Sequence, residues 1–190
     1  MTTADQLRDP LLGEWACLGI LAEEPAHGWA VAARLRPDGD IGRIWQLSRP
    51  LTYRAIDQLG QRGWIEPLGR EPGVAGPNRT ILAATRVGRT RFQAWLRAPV
   101  EHQRDLRSEL LLKLVFAERH RVDIAAMLDR QRAIVDAHAQ VVEAAADADP
   151  TDVVALWRVE STRAAQRFLD RVTTDHPPPT LRQRTRHPSA

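Results

Sequence analysis

Cysteine and long apolar runs are both scarce in this sequence of 190 residues. A single thiol, Cys17, excludes an intrachain disulfide and a cysteine-based zinc site, and its apolar neighbours predict a small core residue. No apolar stretch reaches the roughly 18 to 20 residues that span a bilayer, and the N-terminus lacks a basic segment followed by an apolar one. We therefore expect a cytoplasmic protein with no membrane partner.

Lysine is nearly missing, since only Lys113 among the 27 lysine and arginine residues is a lysine. The formal net charge is +3 and the pI is about 9.9. Arginine bonds phosphate and guanine edges in bidentate fashion, so this usage favours an anionic partner, although a biased genome composition also explains it. With 43% hydrophobic residues the chain is able to bury a core of one ordinary or two small domains.

Catalytic signatures are absent from the sequence: it has no GxSxG elbow, P-loop or GxGxxG turn. Gly69, Gly73 and Gly76 do not have the spacing of a phosphate-binding loop. The six histidines show no HExxH or His-x-His pairing and are expected to be structural or exposed. We expect no enzyme activity, no cofactor and no metal site.

The N-terminal half alternates helical and strand patterns in the order helix, helix, helix, hairpin, helix. The helix signals are Asp9 with Pro10, Ser48 with Pro50, a stop at Gly63, and Thr85 as an N-cap. The glycine- and proline-rich segment 69–79 is expected to be an irregular wing tip. The predicted helices span about 9–23, 28–36, 48–63 and 85–98, and the predicted strands span 64–68 and 81–84.

The third helix has a core-facing stripe and an opposite polar face. We predict that Leu51, Ala55, Ile56 and Leu59 face the core. The outward face then carries Tyr53, Arg54, Asp57 and Gln61.

From residue 104 onward glycine disappears and alanine rises, and amphipathic helices are predicted at 105–119, 122–148 and 151–174. Their apolar stripes exceed what three isolated helices bury among themselves, which predicts a homodimer. The fold class is mainly α with a small β-hairpin wing. The predicted domains are 1–99, a winged helix-turn-helix; 100–176, a helical dimerisation domain; and 177–190, a flexible basic tail.

In a winged helix-turn-helix the third helix enters the major groove of DNA and the wing touches the backbone or minor groove. The pattern therefore predicts binding to double-stranded DNA. The same order of elements also occurs in protein-interaction modules, so a winged-helix adapter without DNA binding is the alternative.

Four strings resemble the PadR family. They are Leu11-Leu12-Gly13 with His27-Gly28-Trp29, then Leu51-Thr52-Tyr53-Arg54-Ala55-Ile56, then Gly76-Pro77-Asn78-Arg79, and finally Arg107-Ser108-Glu109-Leu110 with Lys113. The returning wing strand departs from the family, which usually carries aromatic residues there. The resemblance implies a DNA-binding transcriptional regulator, commonly a repressor, and some members of the family respond to small aromatic compounds. A two-fold pair of DNA-binding domains in the predicted homodimer implies a palindromic operator.

The candidate DNA-binding residues are Arg49, Thr52, Tyr53 and Arg54 on the third helix and Arg70 and Arg79 on the wing. Phenol and guanidinium groups at these places reach phosphates or guanine edges. Each also has an ordinary interpretation, as a half-buried tyrosine or a solvated arginine. Asp57 either pairs with Arg54 or accepts a bond from a cytosine amine.

Six tryptophans are present, and core packing is the default interpretation for each. Trp95 and Trp157 lie on the helices that flank the predicted domain junction. Because aromatic walls are common in pockets for flat apolar ligands, we select these two as effector-binding candidates.

Overall fold

A computed structural model of the chain describes residues 9–73 and 76–175. Its contacts divide the chain into two compact units, Met1–Trp95 and Leu96–Ala190. Mainly α structure with a small antiparallel sheet confirms the predicted fold class. The predicted tail at 177–190 lies outside the described residues.

The N-terminal unit contains the four predicted helices, α1 to α4. They span Leu12–Glu23, Gly28–Arg34, Arg49–Gln61 and Arg86–Leu96. The predicted start of α1 at Asp9 is wrong, because the backbone of Leu11 is extended and the helix begins after it. The start of α3 after Ser48 and its stop at Gly63, where φ is +67°, are confirmed. Thr85 also caps α4 as predicted, because its Oγ1 accepts a hydrogen bond from the Gly88 N–H at 3.1 Å.

The sheet is larger than the sequence predicts. Its strands are Ala26–His27 (β1), Ile65–Gly73 (β2) and Gly76–Ala84 (β3), in the order β1-β3-β2. The expectation of irregular structure is wrong for residues 69–73 and 76–79, since Arg70 pairs with Thr80 and Glu71 with Arg79. Residues 74 and 75 of the predicted wing tip lie outside the described part of the chain. Register shifts between Pro67 and Gly69 and between Glu71 and Gly73 let this glycine- and proline-rich hairpin keep its pairing.

The core of the N-terminal unit forms around α1, which is buried along nearly all of its length. Trp15 stacks on Trp95 at 5.2 Å between ring centroids and contacts Trp64 at 5.3 Å. Cys17 is fully buried, as predicted. Two effects raise the pKa of its thiol: burial is the larger, and the negative charge of nearby Glu14 is the smaller. The thiolate form is therefore suppressed.

One assignment on α3 is wrong. Leu51 is 50% exposed, whereas Thr52 is fully buried with Ala55, Ile56 and Leu59. At 100° per residue, Leu51 lies about 90° from the middle of that buried face. The hydroxyl of Thr52 donates to the Ser48 carbonyl at 3.1 Å, which satisfies the buried polar group.

The C-terminal unit is helical in its described part. A 3₁₀ turn at Gln103–Asp105 and a π-helical turn at Leu106–Leu110 lead into α5. The long helices α6 and α7 pack against each other. The bounds are Leu111–His120 for α5, Ala125–Ala148 for α6 and Val153–Asp175 for α7.

In the part of the chain that the structure describes, no helix is long and apolar enough to cross a membrane. Over the same residues, no group of three or more histidine, cysteine or acidic side chains is arranged to hold a metal ion.

Candidate nucleic-acid interface

The exposed side of α3 carries a cation and an aromatic ring in contact. The Arg49 guanidinium lies 5.7 Å from the centroid of the Tyr53 ring, and both side chains are exposed. Tyr53 keeps 38% of its surface accessible, so its side chain is partly packed and partly open to solvent. Arg54 and Asp57 are exposed next to it.

The open question about Asp57 has a partial answer. Among the described residues, Arg54 and Asp57 form no ion pair with each other. Thr52 is not exposed with these residues, because it is buried and its hydroxyl donates a hydrogen bond to the Ser48 carbonyl at the start of its own helix. The candidate side chains of α3 that are exposed are therefore Arg49, Tyr53 and Arg54, and Asp57 is exposed beside them.

The ring of Tyr53 lies close to the backbone of Gly28. A Cβ atom on Gly28 would lie 2.9 Å from Cε1 of Tyr53, so only glycine allows the first turn of α2 to approach the ring this closely. On either side of this glycine stand His27 on β1 and Trp29, which is 52% exposed.

Arg79 on β3 joins the same surface. Its guanidinium carbon lies 5.9 Å from the Trp29 ring centroid, and its Nη1 lies 3.4 Å from Nε2 of His27. Arg79 and Arg70 are both exposed. The wing candidate Arg79 therefore contacts the His27-Gly28-Trp29 segment, which also lies against Tyr53. The other wing candidate, Arg70, lies on the outer strand β2, opposite Thr80.

Ion pairs join the elements that present this surface, one group half-buried around Arg34 and one pair buried at Arg62. Arg34 on α2 donates to Glu23 at 2.6 Å and to Asp40 at 2.7 Å. Burial lowers its pKa, but the hydrogen bonds to the two carboxylates outweigh that effect and raise it. At the far end of α3, Arg62 lies 3.5 Å from Glu14 of α1 and 5.3 Å from the Trp64 ring centroid.

The two effector candidates have different surroundings. Trp95 is 8% exposed and packs between Trp15 and Phe92 in the N-terminal unit. Trp157 is 72% exposed and lines a cavity of about 720 Å³ in the C-terminal unit. Other lining residues of that cavity are Leu106, Leu110, Phe168, Arg104, Arg107 and Arg158.

Sequence reasoning missed His27 and Trp29 as neighbours of the candidate residue Arg79. The signal for them was present, because the His-Gly-aromatic string marks the start of α2. Their proximity to Arg79 was not visible, because His27 and Arg79 are 52 residues apart in the chain.

Three helices, a two-stranded wing and a fourth helix define the N-terminal unit as a winged helix-turn-helix. Its third helix and wing form one exposed surface of arginine and aromatic side chains.

No protein-family model and no curated protein matches this chain. Among solved structures, the chain is similar to PadR from Bacillus subtilis in complex with operator DNA. The sequence identity is 14% and the TM-score is 0.44, and the match covers 84% of this chain and 96% of that chain. The chain is also similar to smu.1604c from Streptococcus mutans UA159, with 14% identity and a TM-score of 0.43. That match covers 84% of this chain and 97% of that chain.

A third similar structure is the PadR-like transcriptional regulator BC1756 from Bacillus cereus, with 20% identity and a TM-score of 0.39. The match covers 90% of this chain and 99% of that chain. Two of these three are PadR or PadR-like proteins, the family that the sequence motifs resemble. Because the three TM-scores are 0.44, 0.43 and 0.39, the winged helix-turn-helix assignment rests on the order of helices and strands in this chain and not on these similarities.

Proposed function

We propose that this chain is a sequence-specific DNA-binding transcriptional regulator of the PadR type. The observation that carries the proposal is the continuous exposed surface on which Arg49 stacks on Tyr53 and Arg79 on Trp29. Arginine and aromatic side chains on a third helix and a wing suit a duplex, because the helix reads base edges while the wing contacts the backbone.

The direct test is selection of bound fragments from random duplex DNA, which tests binding and delivers the operator together. Affinity for the selected site should fall steeply with salt, because phosphate contacts release counterions. Failure to enrich any sequence, together with no retention of duplex DNA at low salt, would contradict the proposal and favour the protein-interaction adapter.

Variants of the α3 surface test which residues bind. Combined Tyr53→Ala and Arg54→Ala should weaken operator binding by roughly 2 to 4 kcal/mol, if each contact contributes about 1 to 2. Arg91→Ala removes the same charge from an exposed position on α4 and is the matched control. Equal affinities of the double variant and the control would remove α3 from the interface.

We further propose that the C-terminal unit forms a homodimer, which presents two winged domains to a palindromic operator. Support comes from an apolar segment at the start of α7, where Val153, Val154, Leu156 and Trp157 are 75%, 56%, 56% and 72% exposed. Four exposed apolar side chains within five residues are an unfavourable surface in water, and a second copy of the chain would cover them.

Repression and release by a small aromatic effector complete the proposal. The apolar cavity beside Trp157 has the size of a small-molecule site, and Arg104, Arg107 and Arg158 among its lining residues suit an acidic group on the ligand. Such a ligand releases DNA only through a difference in its affinity for the free and DNA-bound states.

Titration of small aromatic acids by tryptophan fluorescence tests the effector site, with operator release measured in parallel. Trp157→Phe should abolish the quenching, whereas Trp95→Phe, which replaces a buried and stacked indole, should retain it. Quenching that survives in Trp157→Phe, or binding that leaves DNA affinity unchanged, would contradict this site.

A further inference from the structure

His27 holds a fixed tautomer at the edge of the proposed interface. Its Nδ1 accepts a hydrogen bond from the backbone N–H of Ala30 at 3.0 Å. A neutral imidazole has one accepting nitrogen and one N–H. Because Nδ1 is the acceptor, Nε2 carries the hydrogen and is a donor.

That donor faces a second donor. Nε2 of His27 lies 3.4 Å from Nη1 of Arg79. A guanidinium has five N–H groups and no acceptor, so these two groups have no hydrogen bond to share. Among the described residues, neither donor has a carboxylate or carbonyl acceptor. Two converging donors without an acceptor form a site that an anionic oxygen completes.

Three features of the N-terminal unit hold the two donors together. The β1 and β3 strands pair His27 with Ile81, which places Arg79 two residues along β3 on the same face of the sheet. The Arg79 guanidinium lies over the Trp29 indole, whose ring centroid is 6.0 Å from that of His27. A guanidinium held over a ring by cation–π attraction keeps N–H groups available for a further acceptor.

We propose that His27 and Arg79 together bind one phosphodiester group of the DNA backbone, with Trp29 as the residue that positions Arg79. This inference rests on the proposed DNA-binding function and adds a specific anion site to it. A phosphate presents two non-bridging oxygens to donors from two side chains, and contacts near a wing go mainly to the backbone. A guanine edge is the competing acceptor, and the experiment distinguishes the two.

The site lies next to the α3 surface. Gly28 separates His27 from Trp29, and this glycine contacts the ring of Tyr53. A duplex held by the phosphate site is therefore adjacent to the residues proposed to read base edges. We infer that this site sets the register of α3 on the duplex and does not read its sequence.

Two substitutions of His27 separate its donor from its capping role. In His27→Asn, the side-chain oxygen replaces Nδ1 as the acceptor for Ala30 and the Nε2 donor is lost. In His27→Gln, an amide donor reaches the position of Nε2 and the cap is lost. We expect His27→Asn to weaken DNA binding about tenfold at an unchanged melting temperature. We expect His27→Gln to keep its affinity while melting at a lower temperature.

The loss in His27→Asn should be equal on the selected operator and on a scrambled duplex, because a phosphate contact carries no sequence information. Its salt dependence should match that of the parent, since the substitution removes a hydrogen-bond donor and leaves the Arg79 cation in place. Arg79→Ala should lower the slope of log K against log salt by about 0.9, the value for one phosphate. A methylphosphonate at the contacted phosphate should weaken the parent more than it weakens Arg79→Ala, which keeps only the His27 donor.

Several results would overturn the inference. Parental affinity in His27→Asn would remove the histidine from the site, and a loss confined to the operator would replace the phosphate by a base edge. If the combined Tyr53→Ala and Arg54→Ala variant weakens DNA binding while His27→Asn does not, the proposed phosphate site is contradicted and the proposed DNA-binding function stands. If the parent binds no duplex at all, the proposed function fails with it.

Discussion

Gln131 and the backbone of Val100 exchange two hydrogen bonds. The Oε1 atom of Gln131 accepts from the Val100 N–H at 2.6 Å, and its Nε2 donates to the Val100 carbonyl at 3.0 Å. Both residues are buried, with Gln131 at 0% exposure on α6. A side chain thus supplies the partners that secondary structure would otherwise give to the segment following α4.

Replacing Gln131 by leucine should destabilise the C-terminal unit by about 3 kcal/mol. The apolar side chain leaves a buried N–H and a buried carbonyl of Val100 without partners, and each costs about 1 to 3 kcal/mol. Urea unfolding followed by circular dichroism measures the change. Gln140→Leu, at an exposed position of the same helix, is the control and should stay within about 0.5 kcal/mol of the parent. Equal midpoints for the two variants would contradict the prediction.

The sole lysine predicts a pH dependence. Lys113 is 1% exposed, and its Nζ bonds the Ala98 carbonyl and the Glu109 carboxylate, each at 2.7 Å. Burial lowers the pKa of Lys113 below its ordinary value of 10.5, and Glu109 only partly opposes this. Between the lowered pKa and 10.5 the unfolded chain binds more protons than the folded one, so stability rises with pH there.

The measurement compares the parent with Lys113→Met by urea unfolding from pH 7 to about pH 10.5. The difference in free energy of unfolding should shift in favour of the parent as pH rises through this window. A difference that stays constant, or that shifts toward Lys113→Met, would show that the pKa is not lowered.

Gly28→Ala should weaken operator binding several-fold. The new methyl group would lie 2.9 Å from Cε1 of Tyr53, so the ring or the first turn of α2 must shift at the proposed interface. Gly60→Ala is the matched substitution, because nothing lies within 4 Å of its Cβ, and it should raise stability by about 0.5 to 1 kcal/mol. Fluorescence anisotropy with labelled operator and thermal melting give the two quantities. Parental affinity in Gly28→Ala would show that the position of the Tyr53 ring is immaterial.

Trp157→Glu should shift the chain from dimer to monomer in sedimentation velocity. The indole is 72% exposed in the apolar segment that starts α7, and a carboxylate there would be buried without a partner in a dimer. Gln140→Glu introduces the same charge at an exposed position on α6 and should leave the dimer intact. A dimer that persists in Trp157→Glu would place the interface elsewhere.

Local signals predicted much of the N-terminal unit. Ser48 and Pro50 set the start of α3, Gly63 ends it, and Thr85 caps α4, because caps and stops depend on residues within one or two turns. The length of the hairpin was underestimated for a related reason. Glycine and proline weaken a strand considered alone, but register shifts in a paired hairpin accommodate them.

The sequence by itself determined the class of fold, the exposed arginine and tyrosine of α3, and the burial of Cys17, since periodicity and caps act over short distances. Tertiary structure alone decided that β1 joins the sheet, that Gly28 supports Tyr53, and that His27 meets Arg79. Those contacts join residues that are distant in the chain. Their geometry depends on strand pairing and close packing, which no local pattern of residues specifies.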